Sequence, residues 1–116
     1  MANIKFPFGN ADKKALTATG LQAITITDQL TIIDGVTTKS TAHRTLNLTI
    51  GEDVEAGAII MLVTKDTNAK NMVFGTNITM ETYTATTNND VASIAFMYNG
   101  TAFFPMGGIA LAVDES

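Results

Sequence analysis

From residue 21 onward, apolar side chains recur in short runs, mostly at every second position, and Gly, Asn and Asp interrupt them about every 8 to 12 residues. No stretch sustains the 3.6-residue recurrence of an amphipathic helix. A period of two sends alternate side chains to opposite faces of a strand. The expected fold is therefore all-β: a small sandwich, jelly roll or barrel. "QAITIT" and "RTLNLTI" alternate Ile or Leu with Thr, Ala and Asn, as half-exposed strands do. "QLTIIDGVTTK" contains Asp34-Gly35, a two-residue hairpin signal. "AIIMLVT", apolar without a break, reads as a buried central strand, and "GGIALAV" reads as a last short strand.

One domain fits 116 residues, enough to bury roughly 60 to 70% of the unfolded surface. The expected division is an extended arm over residues 1–20 and a single β domain over residues 21–116. In the arm, Ile4, Phe6 and Phe8 alternate with Lys5 and Pro7. Pro7 has no amide proton for a central ladder, which favours an edge or extended segment. "ADKKAL", residues 11–16, has room for at most one helical turn before Gly20.

The second constraining stretch is "IAFMYNGTAFFP", residues 94–105. Asn99 and Gly100 suit a two-residue type I′ turn, in which both central positions take positive φ. That register sets Tyr98 opposite Thr101, Met97 opposite Ala102 and Phe96 opposite Phe103. Ile94, Phe96, Tyr98 and Phe103 then share one face, and Ala95, Met97, Ala102 and Phe104 share the other. Both faces are apolar, whereas a hairpin on a single core needs only one. The first set is expected in the core. Met97 and Phe104, with Ile4, Phe6 and Phe8 of the arm, are expected to meet a second layer or a partner.

Charged residues make up only 16% of the chain, well under the usual quarter. Threonine, 19 of 116 residues, takes their place and suits a pleated, half-exposed surface. The net charge of −4 argues against nucleic acid as a partner, because phosphate binding needs clustered Lys and Arg. With no cysteine, neither disulfides nor thiolate metal sites are available. No apolar run reaches the roughly 20 residues of a membrane helix, and the N-terminus lacks a signal-peptide core. The expectation is a protein made soluble, with no membrane partner, that leaves a cell on lysis if it leaves at all.

Groups able to do chemistry are sparse. His43, the only histidine, has Ser40 nearby but no nucleophile-elbow or His/Glu metal pattern around it. Glu52, Asp53 and Glu55 lie in a Gly-bounded turn whose spacing departs from a calcium loop. Asn47, Asn77 and Asn99 head N-x-T sequons, which a chain rich in Asn and Thr produces by chance. No catalytic residue, metal site or cofactor is expected.

The segments "LNLTIGEDVEAGAIIMLVTKD", "FGTNI" and "NNDVASIAFMYNGTAFFPMG" resemble small β modules of virion proteins in tailed bacteriophages. There a strand ending in Asn-Gly or Asp-Gly precedes an aromatic pair. The resemblance spans about residues 44–107, leaves the first 43 uncovered, and is nearest to auxiliary (decoration) capsid proteins of crAss-like and similar phages. Fibre modules often carry Trp where Phe103 or Phe104 stands. The resemblance implies a non-enzymatic virion protein on the outer capsid surface. Its implied partners are the major capsid protein and further copies of itself, in many such proteins as a trimer. A receptor- or glycan-binding module of a head or tail fibre is the alternative it implies.

Overall fold

A computed structural model describes residues 11–112 of the chain, and these form two facing β-sheets. The strands are β1 (Asp12–Ala15), β2 (Gly20–Ile26), β3 (Leu30–Gly35), β4 (Arg44–Ile50), β5 (Ile59–Asp66), β6 (Asn71–Phe74), β7 (Tyr83–Thr84), β8 (Asp90–Tyr98), β9 (Phe103–Pro105) and β10 (Ala110–Ala112). The all-β expectation holds, in the form of a sandwich.

The winding is less ordinary. β1, β3 and β5 lie parallel in the first sheet, and β2, β4 and β6 lie parallel in the second. Each of the first five strands is thus followed by one in the opposite sheet, and the chain coils through three turns. β8 then closes the first sheet antiparallel to β5 and carries β9 and β10 on its far side, while β7 closes the second sheet on β6. Asp34-Gly35 is consequently not a hairpin. Asp34 Oδ1 accepts the amides of Val36 and Thr37 at 2.8 and 3.0 Å, and this side-chain turn ends β3 and releases the chain toward the other sheet.

Residues 12–15 form a strand, not a helical turn, because pairing with Thr31, Ile32, Ile33 and Asp34 supplies the backbone hydrogen bonds that one isolated helical turn lacks. Leu16 follows into the core, so the β domain reaches back into the stretch read as an arm. Ile4, Phe6 and Phe8 lie outside the described residues.

The core sits between the sheets. Ile33, Ile60, Leu62, Ile94 and Phe96 from the first meet Ile26, Leu46, Leu48 and Met72 from the second. Phe74 reaches across to Phe96, with ring centroids 5.6 Å apart. Fully buried, Phe96 and Phe103 each contribute about 1.5–3 kcal/mol by apolar transfer. β5 is central in its sheet but not buried on both sides. Ile60, Leu62 and Thr64 point inward, while Ile59, Met61 and Val63 point outward with no further layer over them among the described residues.

Candidate functional site

The aromatic hairpin does not close with a two-residue turn. Residues 99–102 form the loop, and the register moves by two: Tyr98 faces Phe103, Met97 faces Phe104, and Phe96 faces Pro105. The cause is local. Asn99 is absent from the residues with positive φ, and its Oδ1 instead accepts the amides of Thr101 and Ala102 at 2.9 and 3.1 Å. Only Gly100 takes the left-handed region, at φ 101°. Phe103 is held from its other side, its amide donating to Asn77 O at 2.9 Å. A shift of two keeps every side chain on its face. Ile94, Phe96 and Phe103 are buried, and Tyr98 packs on Phe103 with centroids 5.1 Å apart. Met97 and Phe104 stand exposed, side by side, on the outer face.

They belong to a larger surface. On the outside of the first sheet, Leu30, Ile59, Met97 and Phe104 make one row across four strands. The next row is Ile32, Met61 and Ala95, extended by Met106, whose amide donates to Ala95 O at 2.8 Å. Two shallow grooves flank Val63, the first of them also lined by Met61. One, about 320 Å³, runs beside Ala95, Met106 and Gly107; the other, about 340 Å³, is lined by Ile32, Val36, Val63 and the Lys13–Asp34 pair. Thr37 hydroxyl and the two turn amides hold the Asp34 carboxyl well below the usual carboxylate range.

The other outer face is different. On the second sheet the outward positions include Ala23, Thr25, Thr45, Asn47 and Thr49, with Leu21 its one large exposed hydrophobic among the described residues. Read as a strand buried throughout, "AIIMLVT" gave no signal for an outward Met61; Ile32 shares its row through the register, and Met106 had no independent signal.

Buried polar groups gather at the end of the sandwich where β1, β3 and β5 finish and β2, β4 and β6 begin. Arg44, fully buried at the start of β4, donates from Nη1 to the carbonyls of Thr17 and Thr38, both at 3.1 Å. Its Nη2 donates to Gly35 O, Lys65 O, Thr64 Oγ1 and Asp66 Oδ1, the last in an ion pair of 3.1 Å. Asp66 faces Asp90 across β5 and β8. Asp90 accepts from the Thr87 hydroxyl, from the Thr86 amide at 2.9 Å and from Tyr83 OH at 3.3 Å. The Thr87 hydroxyl and Thr86 amide hold its carboxyl down at about 2 against the pull of burial. Burial, then the charges of Asp90 and Asp66, push Tyr83 up to about 12. This cluster is closed to solvent at Arg44, Asp66 and Asp90, so its role is to join turns. Sequence reading passed over it, because three residues so far apart meet only through the parallel winding.

Ser40 and His43 are not brought together as nucleophile and base. Ser40 is buried, with Oγ accepting from the Thr67 amide, and His43 Nδ1 accepts from the Asn71 amide at 3.0 Å. Glu52, Asp53 and Glu55 are exposed, and no group of three potential metal ligands occurs among the described residues. Comparison with known proteins finds no family model, no curated protein and no solved structure that matches the chain.

Proposed function

We propose that this chain is a structural virion protein that binds the outer surface of a phage capsid shell as an auxiliary (decoration) protein and stabilises the particle. One observation carries the reading: the accessible surface of the first sheet is an apolar face on a sandwich, without a group of three potential metal ligands among the described residues. Such a face suits assembly better than turnover. The phage-like segments lie on β4 to β9 and so include β5, β8 and β9 of that face, while β3 lies outside them.

The mechanism is mechanical. A protein that binds only the assembled shell shifts the assembly equilibrium toward it, by about 2.7 kcal/mol per site at a free concentration 100 times Kd. Ile4, Phe6 and Phe8 are assigned to the shell, with the major capsid protein as partner and the virion surface as location. Met97 and Phe104 are assigned to contact between subunits. The test is co-sedimentation of the purified protein with capsids that lack it, beside the Phe6→Ser/Phe8→Ser variant. Wild-type protein is expected to pellet with particles and raise their heat resistance, and the variant to lose occupancy while keeping its thermal unfolding curve. Absence of wild-type binding overturns the function, and unchanged occupancy of the variant overturns the role of the arm.

A further inference from the structure

We infer that the outer face of the first sheet is covered, in solution, by the same face of a second copy of this chain. The inference names the partner of that face within the assembly reading, and it is tested without any capsid.

Among the described residues, five of the six exposed large hydrophobics lie on this face or its margin: Ile32 at 36% exposed, Met97 and Phe104 at 40%, Met61 at 48% and Met106 at 51%. Chance does not gather them there, because the second sheet shows what this chain places on a face meant for water. Its outward residues are mainly Thr, Asn and Ala across the same kind of strand. A sheet left bare to solvent keeps one face polar. The first sheet departs from that rule on β3, β5, β8 and β9 together.

Size agrees with a protein partner. Strands about 4.8 Å apart and rows about 6.7 Å apart give the apolar rows, with Val63 and Ala110, a flat footprint of roughly 320 Å². A stable interface buries about 800 Å² per partner, about half of it available to a polar rim. The rim is present: Lys13 pairs with Asp34 at 3.4 Å beside Thr37, and Lys65 lies farther along β5. The apolar rows themselves carry no charge, so two copies approach without burying an unpaired ion, which a strongly charged partner surface would require.

The relief is self-complementary in kind. Val63 lies between two grooves of about 320 and 340 Å³, and the exposed Met61 and Met106 both border the first. Each groove has the scale of a few side chains, and unbranched methionines adapt to irregular gaps. A symmetry-related copy can therefore seat its exposed methionines in the partner's groove, which is the requirement of an interface built from one patch used twice.

The experiment is native mass by sedimentation equilibrium of the full chain from 1 to 100 µM, for wild type, Met61→Lys, Met97→Lys and the control Leu21→Lys. Leu21 is 64% exposed on the opposite sheet. Wild type and Leu21→Lys are expected to be oligomeric, and Met61→Lys and Met97→Lys to shift the association constant at least 100-fold toward monomer. Circular dichroism melts confirm that each variant is folded, and two separate lysines guard against one of them failing. A wild-type monomer at 100 µM overturns the inference and leaves the face to a different protein. An oligomer that both lysine variants leave intact overturns it equally, by placing the contact elsewhere. Neither result bears on whether the chain co-sediments with capsids, so the two readings fail separately.

Discussion

Removing the guanidinium of Arg44 tests whether the buried polar end holds the coils together. In Arg44→Met the side chain keeps most of its volume and loses every donor. Asp66 Oδ1 then loses its ion-pair partner, and four backbone carbonyls, from Thr17, Gly35, Thr38 and Lys65, lose a donor each. Asp66 also keeps Asp90 opposite it, two buried carboxylates with no cation between them. Breaking a buried pair from one side costs about 3–5 kcal/mol. A domain of this size has a total stability of only about 5–15 kcal/mol. At about 3–5 °C per kcal/mol, interpolated between small and large domains, Tm is expected to fall by about 10–20 °C.

Asp66→Asn separates the ion pair from the carbonyl contacts. Alone it strands the Arg44 charge in the interior, and a cost of about 3 kcal/mol is expected. In Arg44→Met/Asp66→Asn neither charge remains and the opposition to Asp90 is gone, so the double variant should be no less stable than the worse single variant. Urea unfolding of the four proteins measures the cycle. A coupling energy within about 0.5 kcal/mol of zero would refute the reasoning, because independent sites add to that precision. A loss below about 1 kcal/mol for Arg44→Met would refute it more simply, since a peripheral hydrogen bond costs as much.

Two further outcomes follow from single positions. The Asp90 carboxyl is held at about 2 by donors from Thr87 and Thr86, below its unfolded value of about 3.9, so its contribution to stability is present above pH 4 and is lost as pH falls toward 2. Urea midpoints of wild type and Asp90→Asn should therefore differ at pH 6 and converge near pH 2, and a gap that stays constant across that range would count against the assignment. At Gly51, an added Cβ would lie 2.7 Å from Ile26 O, a backbone atom already accepting the Gly51 amide at 2.8 Å. Gly51→Ala is expected to lower stability by about 1–3 kcal/mol in the same urea assay, since the neighbour that must give way is main chain.

What could be read before the structure was which residues share a face. Ile94, Phe96 and Phe103 went inward and Met97 and Phe104 outward even though the hairpin closed two residues later than its Asn-Gly signal suggests. Parity depends only on the strand's own alternation, and a shift of two preserves it. Pairing partners depend on the route of the connections, and here the route was misleading. Asp34-Gly35 has the composition of a hairpin turn, yet Asp34 uses its carboxylate to cap the turn amides and the chain leaves for the other sheet. Because each coil must pass through the opposite sheet before returning, Leu30 meets Ile59 and Arg44 meets Met72, pairs that no local pattern announces. The same routing brings the ends of β3 and β5 to the start of β4, which is why Arg44, Asp66 and Asp90 form one cluster while lying in three unrelated stretches of sequence.

The run "AIIMLVT" shows where alternation stops being informative. A strand that is apolar at every position is ordinarily buried between layers, and β5 has a layer on only one side among the described residues. The pattern was sound about the chemistry of both faces and silent about what covers the second. Its neighbours decide that this is not tolerance of a stray methionine. β3, β8 and β9 repeat the same apolar outward rows in register with it, while β2 and β4, wound from the same chain, place Thr and Asn at the corresponding positions. A chain that had only to stay folded in water could have treated both sheets as it treats the second. Sparing polar residues on one sheet alone adds nothing to the core beneath, and this asymmetry between the two sheets is what the proposed assembly role rests on.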